Sequence, residues 1–400
     1  MSEWKKVKLG DCCEITSSKR IFLSDYVPVG IPFYRSKEIA EMQKGETISD
    51  PLFISNDKYE EIKGKFGVPH KGDLLLTAIG ATLGIPFVIK NNLPFYFKDG
   101  NLIWFKNFND LLDSSFLYTW MCSSFGYQSM QNIAIGSAQK ALTISALKDL
   151  SLLVPPFDTQ HRIATILSRY DSLIENYQKQ IKLLEEAAQR LYKEWFVDLH
   201  FPGHENTKIV DGVPEGWEKK AVSQLGDYLN GFAFKPSDWQ ATGKPIIKIK
   251  EMGNGIGNDT PRNNGERVPA KYKVKSGDLL FSWSATLMVV VWSGEEGWLN
   301  QHLFKVTPSE GIGREFLLQS ISNTIEEFQN LTTGSTMKHI QRNKLDQVFV
   351  NVPSDEIMKL YSNTAEKTRE EILNLSSQIR LLTEARDRLL PKLMSGEIAV

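Results

Sequence analysis

The sequence predicts an α+β protein: two globular domains in a pseudo-twofold repeat, separated by two long antiparallel helices that form a coiled coil. Three observations carry this expectation. The phrase KGDLLLTAIGAT at Lys71–Thr82 returns as SGDLLFSWSAT at Ser276–Thr286. A second phrase, GSAQK at Gly136–Lys140, returns as GSTMK at Gly334–Lys338. Each copy then meets a proline, Pro155 or Pro353, followed by a helical stretch of roughly forty residues. Self-similarity on this scale governs the architecture before any local reading, because each copy must repeat one folded unit.

In the first copy, short runs rich in aromatic and branched residues lie between turn formers. Leu74–Thr77, Pro86–Ile89, Phe95–Phe97 and Leu102–Phe105 read as strands. One helix is expected around Ser115–Gln131. The second copy repeats the order. Trp217 answers Trp4, and Leu225-Gly226-Asp227 answers Leu9-Gly10-Asp11. IPFYRSKEI at Ile31–Ile39 aligns with KPIIKIKEM at Lys244–Met252.

The helical stretches carry the sharper signal. Ile163, Leu167, Tyr170, Ile174, Tyr177, Ile181, Leu184, Ala188, Leu191 and Trp195 alternate steps of four and three. That 3.5-residue period is a coiled-coil seam. Six Lys/Arg and seven Asp/Glu between Asp158 and Asp198 surround it. In the second stretch Ile372, Leu375, Ile379, Leu382, Leu389 and Leu393 keep the phase, with Arg386 interrupting it where the first has Ala188, so the second helix is expected to be the weaker partner or a docking face. Asp158 and Ser354 are the expected N-caps, with Asp355 and Glu356 suited to the positive end of a helix dipole. Pro391 and Ser395-Gly396 are expected to end the second helix. Two matching seams in one chain meet at high effective concentration, so pairing with each other is favoured over pairing with another subunit.

The chain of 400 residues has room for two or three cores, and 41% apolar with 24% charged residues is ordinary for a soluble protein. No apolar run suits a membrane span, and no signal peptide opens the sequence. Three cysteines, Cys12, Cys13 and Cys122, form neither a disulfide framework nor a metal-ligand spacing. A cytoplasmic setting is expected. The net charge of −1 is low for a protein that alone grips nucleic acid. Basic character is concentrated instead: from Lys235 to Lys275 nine Lys/Arg (235, 244, 248, 250, 262, 267, 271, 273, 275) face four acids (238, 251, 259, 266). A solvated loop region with solubilising lysines would read the same way.

No catalytic constellation emerges. Asp50, Glu61 and Lys63 have the letters of a D…ExK nuclease, but their polar surroundings are not the apolar strand that metal chemistry needs. Gly253–Gly257 resembles a phosphate loop only in glycine count and reads as a flexible loop. His200 and His204 lack a carboxylate or cysteine shell for zinc. What does recur is recognition chemistry. Arg35 and Lys37 occupy the places of Lys248 and Lys250, and Thr77 and Trp283 follow the two GDLL runs. Gln301 and His302 add an amide and a ring; Ser137, Gln139 and Lys140, with Lys338 and His339, lie in the paired glycine loops. Amide and guanidinium forks match base edges, and ammonium groups match phosphates.

With these residues in view the chain resembles the specificity subunit of a type I restriction-modification system. The resemblance is carried by LYKEWFVDLHFPGHE at Leu191–Glu205 and by GVPEGW at Gly212–Trp217, with the repeated GDLL, GS-x-x-K and proline-then-heptad segments. It spans essentially the whole length. It implies a target recognition domain at 1–155, a helical spacer at 156–199, a linker at 200–216, a second recognition domain at 217–352 and a second spacer at 353–400. It implies a non-catalytic chain without a metal or cofactor of its own. Each domain would read one half of a split double-stranded DNA target. Two methylation subunits binding S-adenosylmethionine and restriction subunits using ATP and Mg²⁺ would be the partners. Trp195 and Phe196, at the tip of the first spacer, are the expected docking residues. A helix of about 38 residues is roughly 57 Å long, or roughly 17 base pairs. The alternative is a coiled-coil scaffold whose globular domains bind proteins.

Overall fold

The computed structural model describes residues 4–43, 45, 48–137, 139–331 and 342–400. Contacts divide the chain into two units: residues 1–175 with 382–400, and residues 176–381. Each contains one copy of the repeat and part of each long helix. Among the described residues, no helix is long and apolar enough to cross a membrane.

In the first unit an antiparallel ribbon joins Lys5–Lys8 to Ser151–Val154, the two ends of the domain. A four-stranded antiparallel sheet runs Glu14–Thr16, Leu102–Lys106, Leu74–Thr77, Pro86–Val88. A second sheet runs Tyr26–Val27, Leu52–Ile54, Ile31–Tyr34, Tyr96–Phe97, its last pairing parallel. The second unit repeats the plan: ribbon Glu218–Ala221 with Phe349–Val352, then sheet Gly226–Asn230, Leu303–Pro308, Leu279–Ser282, Met288–Val291. The parallel pairing returns between Lys244–Ile247 and Gly297–Leu299. The second sheets differ at their edges: Tyr26–Val27 lies outside Leu52–Ile54 in one unit, whereas Lys273–Val274 lies outside Gly297–Leu299, at the opposite edge, in the other.

The repeated GDLL phrase has a physical cause. Gly72 and Gly277 adopt φ of +93° and +94°, the left-handed region that an L side chain resists. The following aspartates close the turn: Asp73 accepts from the His70 amide at 3.0 Å and Asp278 from the Lys275 amide at 2.8 Å. The leucines then enter the strand with Leu74, Leu75, Leu279 and Leu280 buried. Asp73 also accepts from the indole of Trp104 at 2.9 Å, and burial pushes its carboxyl above the usual range.

The single helix expected near Ser115–Gln131 is two helices, Ser114–Cys122 and Ser124–Ile133. Ser123 divides them because its hydroxyl accepts from the Gly126 amide at 2.9 Å, capping the second.

The first long helix is Phe157–Tyr192, continued by a π-turn at Lys193–Val197; the second is Asp355–Met394. In the first unit Ile163, Leu167 and Leu393 share an apolar cluster with Leu74, Phe105 and Phe116. In the second unit Tyr192 and Phe196 share one with Phe316, Tyr361 and Ala365. The start of one helix therefore lies with the end of the other in each unit, and the pair is antiparallel. Ile163, Leu167, Ile174, Ile372 and Leu375 are buried; Tyr170, Tyr177, Ile181, Leu184, Leu191, Ile379, Leu382 and Leu389 are half-buried. Each fully buried aliphatic side chain contributes on the order of 2 kcal/mol.

Four local expectations are corrected. Asp158 lies in the first turn and does not cap, since the amides of Thr159 and Gln160 donate to the Pro156 carbonyl. Pro391 sits inside the second helix, which ends three residues later. Arg386 does not weaken the seam; its guanidinium donates to Asp171 of the first helix at 2.7 Å. Phe196 is buried and Trp195 half-buried against Tyr361, so these rings are core and not a docking face. Burial passes from Ala188 to Tyr192 and Phe196 in steps of four, leaving the Leu191–Trp195 phase before the π-turn begins.

A second arginine, Arg369, is buried in unit two and forks onto Glu315 at 2.8 and 3.2 Å. Glu315→Ala leaves that cation unpaired and is expected to cost about 3–5 kcal/mol in urea unfolding. Gly72→Ala and Gly277→Ala are each expected to cost about 1–2 kcal/mol through their positive φ. Gly64→Ala, in an exposed helical position with open space around it, is expected to stabilise by about 0.5–1 kcal/mol in the same measurement.

Candidate nucleic-acid interface

The repeat places two structurally equivalent surfaces beside the ends of the GDLL strands, one in each unit. Their buried framework is the same. Thr77 is fully buried; its hydroxyl donates to the Thr82 carbonyl and accepts from the Ile85 amide at 2.8 Å. Ser282 repeats the arrangement, donating to the Thr286 carbonyl and accepting from the Met288 amide at 3.0 Å. Thr77, expected among the recognition residues, is thus a turn-closing group with nothing left to offer a ligand.

A second repeated device escaped the sequence reading. Glu38 and Glu251, both buried, fold back to accept from the amides of Arg35 and Lys248 at 2.7 and 3.1 Å. Each closes the N-terminus of the helix that follows, Ser36–Gln43 or Ile249–Asn254. The signal was present as the shared KE of SKEI and IKEM, a carboxylate three residues past the cap. In the first copy the Arg35 guanidinium also donates to Glu38 and, at 3.3 Å, to Asp50, and the bond to Glu38 raises its pKa. Arg35 is committed to its own domain, and Lys37 lies 3.9 Å from Glu41.

In the second copy Lys250 pairs with Asp259, holding that carboxyl below its usual range, and Lys248 lies over the Trp239 ring at 5.5 Å. Lys244 pairs with Glu296 and Arg262 with Glu295. Three of the nine basic residues of this stretch are therefore neutralised by carboxylates. Lys235, Arg267, Lys271 and Lys275 remain exposed.

At the end of the sheet in the second unit, Trp283 stacks obliquely on His302, ring centres 5.9 Å apart. Its indole donates to Asn230 at 3.2 Å. Gln301 is half-buried beside them and accepts from the Asn300 side chain at 2.6 Å. The strand register makes Ala78 the counterpart of Trp283 and Asn101 that of His302. One framework thus carries an aromatic patch in one copy and small residues in the other.

The first unit instead presents a cleft of about 520 Å³ lined by Gly80, Ala81, Leu83, Tyr127, Gln131, Gln139 and Lys140. Gln139 and Lys140 were expected from the glycine loop; Ser137 is exposed nearby in sequence but does not line the cleft. Tyr127 and Gln131 were missed, although their four-residue spacing puts both on one helix face. Lys338 and His339 lie outside the described residues.

The nuclease and phosphate-loop readings both fail on geometry. Glu61 and Lys63 sit on the helix Asn56–Phe66, paired with Lys58, Lys65 and Glu60, while Asp50 accepts from Arg35. Gly255, with φ +75°, ends a helix, its amide donating to Glu251. Among the described residues no cluster of three His, Cys, Asp or Glu could hold a metal ion.

Thr77→Val keeps the side-chain shape and Ser282→Ala adds no bulk at a buried site; each removes both hydrogen bonds. Each is expected to cost about 1–3 kcal/mol of stability by thermal or urea unfolding.

The family model for the type I restriction modification DNA specificity domain matches residues 1–186 and again 214–374. The MjaIX specificity subunit of Methanocaldococcus jannaschii is 25% identical over 424 aligned positions, covering 100% of this chain and 94% of that one. The HindI specificity subunit of Haemophilus influenzae is 24% identical over 471, with 100% of both covered. A crystal structure of a type I restriction-modification S subunit from M. genitalium shares the fold, with TM-score 0.59 at 15% identity over 98% of this chain and 96% of that one. Twice matched by that domain over most of its length, the chain belongs to the type I restriction modification DNA specificity family.

Proposed function

We propose that this chain is the DNA-reading subunit of a type I restriction-modification complex. It recognises a double-stranded target in two parts with a fixed spacer, and directs partner methylation and restriction subunits to that target. The observation that carries this is the duplicated framework with unlike exposed side chains. A repeated turn, cap and sheet hold Trp283, Gln301 and His302 in one copy and Gln139 and Lys140 in the other. Two readers of one design with different surfaces suit two different half-sites.

The catalytic work belongs to the partners. Methyl transfer from S-adenosylmethionine and ATP- and Mg²⁺-dependent restriction are assigned to them, and this chain contributes position alone. Its low net charge suits that division, because phosphate neutralisation is then shared across the complex.

Continuous helices that begin in one unit and end in the other supply the spacer. Adding seven residues to each keeps the heptad phase and lengthens the pair by about 10 Å, or about three base pairs. Mapping methylated adenines in cells carrying the altered chain is expected to show both half-sites unchanged and the gap longer by about three base pairs. An unchanged gap, or a target that is not bipartite, would sink this reading. Exchanging residues 1–155 for the domain of a relative is expected to change one half-site only.

A further inference from the structure

We propose that the cleft of the first unit is where that unit's half-site is read, with the amides of Gln131 and Gln139 addressing adenine and the Lys140 ammonium addressing a neighbouring phosphate. This rests on the DNA-reading function above and assigns the residues and the base.

The cleft combines two amides, a phenol and an ammonium for which the described residues provide no hydrogen bond or ion pair. Several cations elsewhere in the same unit are spent internally: Arg20 meets Asp99, Arg35 meets Glu38 and Asp50, Lys90 meets Glu175, and Lys106 meets Glu14. No arginine is among the cleft's lining residues, so a guanidinium fork for guanine is missing there, whereas an amide fork is on offer. An amide presents one donor and one acceptor side by side, the complement of adenine N6 and N7 in the major groove.

Backbone geometry keeps the amides reachable. Gly80 and Gly84 both have positive φ, +78° and +88°. A side chain on Gly80 would stand 3.5 Å from the Gln139 amide nitrogen. One on Gly84 would stand 3.4 Å from the Tyr127 ring and 3.8 Å from the Gln131 amide nitrogen. Either would fill the space before a ligand could. Tyr127, one helical turn before Gln131, forms the wall beside that amide and acts as a positioning residue. Lys140 follows Gln139 directly, so a base contact and a phosphate contact fall on adjoining residues.

The test uses the complete complex with its methylation subunits and competition binding against duplexes altered one position at a time. Gln131→Ala and Gln139→Ala are each expected to lower the preference for adenine at one position of one half-site by roughly 5- to 150-fold. The other half-site should be untouched. Gln131→Glu is expected to move the preference at its position toward cytosine, which a merely structural residue would not do. Lys140→Ala is expected to weaken every duplex alike and to lower the slope of log affinity against log salt by about one. Among the described residues these side chains make no internal hydrogen bond or ion pair, so unfolding midpoints should stay at the wild-type value. The inference is overturned if neither glutamine variant changes base preference, or if the change falls in the half-site read by the second unit. A wild-type complex that binds all duplexes equally would instead remove the DNA-reading function itself, and this assignment with it.

Discussion

Burial of the two heptad seams is the constraint on which everything else in this protein depends. In each unit the apolar cluster of the globular domain includes residues from both long helices: Ile163, Leu167 and Leu393 in one, Tyr192, Phe196, Tyr361 and Ala365 in the other. Neither domain completes its core without the paired helices, and each half of the pair is covered by the domain it serves. Folding of the domain and pairing of the helices are therefore one cooperative event in each unit.

The seam is not wholly apolar. Arg386, at a seam position, meets Asp171 of the first long helix in a half-exposed pair; the buried Arg369 of the second long helix meets Glu315 on the domain helix Arg314–Asn323. Charges taken from water need partners in good geometry, and both arginines have them. An apolar seam alone tolerates slippage by a heptad, which would part Arg386 from Asp171, so the first pair favours the observed register of the two helices. The second pair fixes the long helix against its own globular domain.

The repeat divides labour between inside and outside. Asp73 with Asp278, Thr77 with Ser282 and Glu38 with Glu251 perform the same backbone-closing tasks in both copies. None is free to meet a ligand. Around them, Ala78 is answered by Trp283 and Asn101 by His302. A fixed interior with an altered rim is what two readers of different sequences require, since discrimination depends on a few groups at a surface and stability does not.

Much of the architecture is legible in the residues alone, because its causes are local and periodic. Strand alternation, the four-three spacing of Ile163 to Trp195 and the repeated GDLL turn each declare an element without reference to anything distant. Family membership is legible for the same reason. The candidate interface is not, and the reason is charge pairing. Arg35 looks like a ligand-binding cation in the sequence, yet Glu38 and Asp50 hold it, and Lys37 and Lys250 stand beside Glu41 and Asp259 in half-exposed surface pairs. Thr77 looks like a surface donor until the turn at Thr82–Ile85 folds over it. Tyr127 and Gln131 share a helix face by their four-residue spacing, yet they line a cleft only because Gly80, Gly84 and the 139–140 segment are brought beside them. Sequence by itself determined which elements form, how they repeat and which family they serve. Only the tertiary structure decided which polar groups remain unpaired, because that depends on neighbours far apart in the chain and near in space.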